Sequence, residues 1–225
     1  MRLVTGFLIH LCSWLTAGAA TPGAQVDHIM LGIDDLDRGM EQFEKLTGVR
    51  PVQGGKHPRG THNALVSLGD GTYLEILALQ PNAAPPKEYE DLKQLHTLTP
   101  IGWAVSSKDS TQLRNRLTSA GMAVTESSAG SRTTPAGTTL SWQTFGLQEG
   151  FDEAPFFIVW SPQSAHPSTT SPSGCRLQHW RVAGPHLKSL EQLRNALELR
   201  VDVAEAPSTA LRLSLHCPKG DVEFK

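Results

Sequence analysis

VDHIMLGI at residues 26–33 runs into DLDRGMEQFEKLTG at residues 35–48 and then VRPV at 49–52. An apolar run of this length reads as a buried strand, and the spacing of Leu36, Met40 and Phe43 sets one apolar helical face. Asp34 or Asp35 supplies the N-cap and Gly48 the C-terminal stop. The unit recurs. IGWAVSS (101–107), a helix through DSTQLRNRLTSAG (109–121) and MAVTES (122–127) repeat it, with Leu113, Leu117 and Ala120 on the stripe and Gly121 as the stop. CRLQHWRVAG (175–184), LKSLEQLRNALEL (187–199) and VDVAE (201–205) repeat it again, on Leu190, Leu193 and Leu197.

Each unit continues into a strand pair. THNALVSL and TYLEILAL flank Gly69-Asp70-Gly71, a strong hairpin signal between two apolar runs. TTLSWQTF and APFFIVWS follow the second unit across LQEGFDE; LRLSLHC and DVEF follow the third. The expected module is β-α-β-β-β, three times over. The fold class is therefore α+β: repeated βαβββ modules forming a cupped, partly open mixed sheet, with helices on its outer face. Modules one and two span residues 21–161. A Ser/Thr/Pro-rich linker occupies 162–174, within SPQSAHPSTTSPSG, and a third, shorter module 175–225. PNAAPPKE (81–88) is a similar break between the first two modules.

The chain has 225 residues, a formal net charge of −2 and 19% charged residues. No basic run offers a nucleic-acid or anionic-membrane surface, and a small molecule is the expected partner. At the N-terminus, Arg2 precedes an apolar run from Leu3 to Leu15 and the small residues Ala17, Gly18, Ala19 and Ala20. This reads as a signal peptide over residues 1–20, a secreted or periplasmic mature protein, and no membrane association after its removal. Cys175 and Cys217 either pair in that oxidising setting or stand as separate thiols.

The βαβββ repeat, VDHIMLGIDDLD, HPRGTHNALVSLGDG and TYLEIL together resemble the glyoxalase-like domain family of the vicinal oxygen chelate superfamily. That superfamily includes glyoxalase I, extradiol dioxygenases and the fosfomycin- and bleomycin-resistance proteins. The resemblance implies a cupped sheet holding a divalent metal (Zn, Fe, Mn or Ni), with ligands from the first and last strands of each module. His28 and Glu75 match those positions in module one, and Glu75 is also the expected catalytic proton carrier. A carboxylate within the apolar strand around Glu75 is costly unless paired or metal-bound, although a solvent-facing edge position explains it too.

Module two departs from the pattern, since helix-based alignment sets Gly102 against His28 and Val159 against Glu75. His62, one strand from Glu75, is the expected third ligand, with His57 as the substitute. In module three His179 aligns with His28 and Glu223 lies near the Glu75 position, which an exposed strand explains equally well. Asn63 either holds the turn backbone or contacts substrate. Strand tryptophans usually pack; Trp103 and Trp160 are the expected substrate contacts, and Trp142 is the remaining strand tryptophan.

No G-x-S-x-G elbow, P-loop, dinucleotide fingerprint or C-x-x-C pair occurs. The expected activity is metal-assisted lyase, isomerase or dioxygenase chemistry on a small oxygen-chelating substrate. The alternative is a non-catalytic protein that binds or sequesters a small molecule in a metal-free cup; a third is a protein-binding module. Superfamily members often dimerise, and a homodimer is in keeping with that.

Overall fold

The computed structural model describes residues 23–225; the signal-peptide expectation lies outside them. Strand β1 (Gln25–Gly32) is buried along almost its whole length. Helix α1 (Leu36–Thr47) starts where the Asp35 carboxylate accepts the Arg38 N–H at 2.8 Å and stops at Gly48 in the left-handed region. Strands β2 (Val52–Lys56), β3 (Thr61–Gly69) and β4 (Thr72–Leu79) complete the first unit. A 3-10 segment, Lys87–Gln94, precedes the second: β5 (Thr99–Ser106), α2 (Ser110–Ser119), β6 (Ser128–Thr133), β7 (Thr139–Phe145) and β8 (Phe156–Trp160).

The sheet is not the partly open cup expected from the sequence. It closes into an eight-stranded barrel in the order β1-β4-β3-β2-β6-β7-β8-β5. One seam is broad, β1 lying antiparallel to β5 from Gln25 to Gly32. The other is a single pairing, Lys56 with Thr133, between β2 and β6. Gly55 makes that second seam possible. Its φ is 138°, and a Cβ there would collide with the Thr133 carbonyl.

Alternation divides the strands between two environments. Ile29, Leu31, Leu74 and Ile76 point outward into the core beneath the helices, where they meet Phe43. His28, Met30, Tyr73, Glu75 and Leu77 point inward and line a cavity.

The third unit consists of β9 (Arg176–Gly184), α4 (Leu187–Leu197), β10 (Asp202–Glu205), β11 (Ala210–Cys217) and β12 (Gly220–Phe224). It has the element order of the other units but a different pairing. Its first strand runs parallel to its second, β10, whereas β1 runs parallel to β4. The resulting sheet, β10-β9-β11-β12, packs beside the barrel. Trp180 meets Trp103 there at 6.2 Å, and Phe224 stacks on Phe43 at 5.9 Å. Cys175 and Cys217 form a disulfide.

The segment read as a linker is docked. Its one-turn helix α3 (Pro167–Thr170) lies against β3, where Ser67 donates from Oγ to the Ser168 carbonyl at 2.7 Å and from N to Pro172 at 2.8 Å. No helix among the described residues is long and apolar enough to cross a membrane.

Candidate functional site

The barrel interior holds a cavity of about 750 Å³, a size usual for small-molecule sites. A bulge in β1 decides its chemistry. Pairing with β5 slips by one residue between Val26 and His28, so the adjacent side chains of Asp27 and His28 both turn inward while Val26 and Ile29 stay in the outer core.

Asp27 is fully buried and accepts from three groups: His28 Nδ1 at 2.7 Å, His166 Nε2 at 3.0 Å and Trp160 Nε1 at 3.2 Å. Burial alone would raise its pKa. Hydrogen bonds from His166 and His28, together with their charge, outweigh burial and hold the carboxyl far below its ordinary range. His166 comes from the docked segment, so that segment is part of the site.

The His28 ring is stacked on Tyr73 at 4.7 Å and meets the edge of Phe156 at 5.4 Å. With Nδ1 committed to Asp27, its Nε2 faces Glu75 Oε2 at 3.5 Å. Glu75, 6% exposed, accepts at Oε1 from Asn63 Nδ2 at 2.7 Å. His57 stands on the other side, with Nδ1 on Thr61 Oγ1 at 2.8 Å and Nε2 at 3.9 Å from Glu75 Oε1. Burial lowers the His57 pKa, partly opposed by the Glu75 charge, which favours a neutral ring at pH 7.

The structure therefore brings His28, Glu75, Asn63 and Trp160 together, and adds His57. It does not bring His62. Leu65 pairs with Glu75 and His62 with Ala78, so His62 points to the α1 face, where the charges of Asp37 and Asp35 act on it. Trp103 is also misplaced by the sequence reading. It faces outward, 3% exposed, donating its N–H to the Glu153 carbonyl at 3.0 Å. A strand that directs Gly102 inward must direct residue 103 outward. Trp142, by contrast, lines the cavity.

The pairing of β1 with β5 also gives the equivalence of the two units. Ile29 pairs with Trp103, His28 with Ala104 and Met30 with Gly102, so a two-fold exchange matches His28 to Gly102 and Met30 to Ala104. The parallel partner of Met30 is Glu75, and that of Ala104 is Phe156. Glu75 thus corresponds to Phe156, not Val159, which packs against the outer core. His179 and Glu223 make no second site: His179 is exposed beside Asp202 at 3.3 Å, and Glu223 beside Arg212 at 3.5 Å.

For a divalent metal, the positions at 102 and 156 offer no ligand. Among the described residues no three His, Cys, Asp or Glu side chains already stand at ligand spacing. The donor chemistry on the module-one wall nevertheless fits. Two imidazoles anchored through Nδ1 would turn their Nε2 lone pairs toward one carboxylate. Such mutually repelling acceptors are relieved by a cation, and two imidazoles with one carboxylate are a recurrent metal face.

Sequence reasoning missed Asp27 and His166, because simple alternation turns residue 27 outward and the stretch around His166 reads as linker. It also missed Arg132, a buried guanidinium among lining residues of β6.

The profile of the glyoxalase-like domain family matches residues 26–197. No curated protein matches the sequence. Among solved structures, a hypothetical protein from Staphylococcus aureus is similar at TM-score 0.66 and 16% identity, covering 90% of this chain and 99% of its own. The Mn(II)-bound glyoxalase from Novosphingobium aromaticivorans is similar at TM-score 0.47 and 12% identity, covering 88% and 80%. With its profile match extending from β1 to the end of α4, the chain belongs to the glyoxalase-like domain family.

Proposed function

We propose that the barrel cavity is the active site of an exported enzyme acting on a small oxygen-bearing substrate, with His28, His57 and Glu75 holding a divalent metal. The observation that carries this is the convergence of two Nδ1-anchored imidazoles on Glu75 inside a closed barrel. Bound there, a metal supplies Lewis acidity to a substrate oxygen. Asp27 fixes the direction of the His28 ring and its tautomer, and Thr61 orients His57. Asn63 steers the Glu75 carboxylate, which either ligates the metal or takes and returns a proton at a carbon beside the substrate oxygen. Lyase, isomerase and dioxygenase outcomes all use this arrangement. Disulfide-bonded Cys175 and Cys217 support an oxidising compartment and hence export.

Titrating the purified protein with cobalt(II), followed by visible absorption, and with zinc, manganese, nickel and iron by calorimetry tests the reading. One metal per chain is expected, with affinity lost by 100-fold or more in His28→Ala and Glu75→Ala and by roughly 10–100-fold in His57→Ala. His62→Ala is expected to leave it unchanged. Absence of binding by all five metals at high micromolar concentration overturns it. A metal-free binding protein is the second reading, favoured by Gly102 and Phe156 at the remaining ligand positions.

A further inference from the structure

Arg132 sits on β6 with its side chain in the cavity wall, and the residue is 4% exposed. One of its nitrogens donates to the Gly54 carbonyl. Among the described residues no carboxylate lies within 4 Å of it. Trp142 on β7 and Trp160 on β8 line the cavity on the same unit as Arg132. A guanidinium cannot discard its charge by deprotonation, and burying it with only the more distant Glu75 carboxylate as counter-charge is costly. Its remaining donors form a planar fork suited to a carboxylate or phosphate.

The wall beside it is aromatic. Trp142 and Trp160 lie with ring centroids 5.2 Å apart and planes tilted by 55°, and both line the cavity. Gly130 pairs with Trp142 across β6 and β7, and any Cβ at Gly130 would collide with the indole. The indole therefore lies down on β6 two residues before Arg132, about 7 Å along the strand. A face for a flat ring and a buried cation stand within one small molecule's length of each other.

We infer that the ligand of this cavity is a small planar carboxylate, aromatic or conjugated, with its anion on Arg132 and its ring against Trp142 and Trp160. The inference deepens the proposed function by naming a substrate class. A carboxylate is favoured over a phosphate because Arg132 presents one planar fork that matches a carboxylate's two oxygens, and the Glu75 carboxylate in the same cavity opposes a second negative charge beside it.

Tryptophan fluorescence of the purified protein, titrated in the presence of a chelator, reads this without metal or turnover, so failure of the metal titration and failure here are separate results. The probes are benzoate, its neutral isostere benzamide, its non-aromatic analogue cyclohexanecarboxylate, and phenyl phosphate. Benzoate is expected to quench at least 10-fold more tightly than each of the other three. Arg132→Met is expected to erase the preference for benzoate over benzamide, and Arg132→Lys to reduce it while keeping the charge. Should Arg132→Met fail to fold, as judged by circular dichroism, the wild-type comparison of benzoate with benzamide still decides. Equal binding of benzoate and benzamide, or an unchanged ratio in both folded variants, overturns the inference. Phenyl phosphate binding more tightly than benzoate overturns it in favour of a phosphate.

Discussion

Asp27→Asn tests the polar frame of the site with almost no change of shape. In the wild type three N–H groups point at one buried carboxylate. The substitution turns these charge-assisted contacts into neutral ones, at about 1 kcal/mol each, and places an amide N–H₂ where an acceptor stood. The two imidazoles can adapt by exchanging tautomers. The Trp160 indole cannot, because it only donates. Relief of the buried charge offsets part of the loss, yet the pKa stays well below 3.8 despite burial, so the partners win over desolvation.

The net cost of Asp27→Asn is then about 2–3 kcal/mol, or roughly 4–12 °C in Tm for a chain of this size. The sign of the pH dependence follows from the lowered folded-state pKa. Stability from Asp27 is fully present above the unfolded value near 3.8 and drains away as pH falls below it. Thermal melts of both proteins from pH 7 to pH 2.5 should show a constant gap down to about pH 5 that narrows below pH 4. A gap under 2 °C at neutral pH, or one that widens in acid, would refute the reasoning.

Three further outcomes are expected. Opening the Cys175–Cys217 disulfide, which spans 42 residues, returns loop entropy worth about 4 kcal/mol to the unfolded chain. Melts with and without reductant, or of the Cys175→Ser/Cys217→Ser double variant, should differ by roughly 8–16 °C, and a difference under 2 °C contradicts this. Gly55→Ala forces a methyl into the Thr133 carbonyl at a backbone angle alanine avoids, and should cost about 2–4 kcal/mol in denaturant unfolding. The same substitution at exposed, φ-positive Gly137, where nothing crowds the position, should cost about 1 kcal/mol; equal losses would remove the seam argument.

Helices and strands were legible because their signals are local. Leu36, Met40 and Phe43 fall on one face, and Asp35, Asp109 and Gly48 mark ends where side chain or backbone satisfies orphan groups. What escaped was parity. Extending the Gly69-to-Thr72 pairing straight down the hairpin sets Val66 opposite Glu75 and puts His62 on its face. A one-residue shift between Ser67 and Gly69 sets Leu65 there instead and brings Asn63 inward. A similar slip beside Asp27 adds a carboxylate to the interior that regular alternation would send outward. Barrel closure was hidden for another reason, because it rests on long-range contact between Gly55 and Thr133 that no local pattern encodes. Polar, Pro-punctuated surroundings concealed His166 and Arg132 among what reads as loop.

The two-fold relation between the units gives these details a common consequence. Were the exchange exact, imidazole and carboxylate would repeat at 102 and 156 and converge on the barrel axis from both sides. Gly102 and Phe156 leave one wall with the donors and give the other to rings. Met30 crowds the position above Gly102, and Phe156 braces His28 from the side a second carboxylate would have occupied. In the proposed reading, a ligand entering this barrel would meet lone pairs on the first unit's wall and, on the second unit's wall, aromatic faces beside the Arg132 guanidinium. Such a cavity discriminates by orientation. A flat ring carrying charge at one edge would cover the tryptophans and meet Arg132 in one pose, whereas a flexible polar chain would leave the tryptophans uncovered and an apolar ring would leave Arg132 unpaired. In that reading, specificity would follow from the loss of symmetry between two units that share a fold.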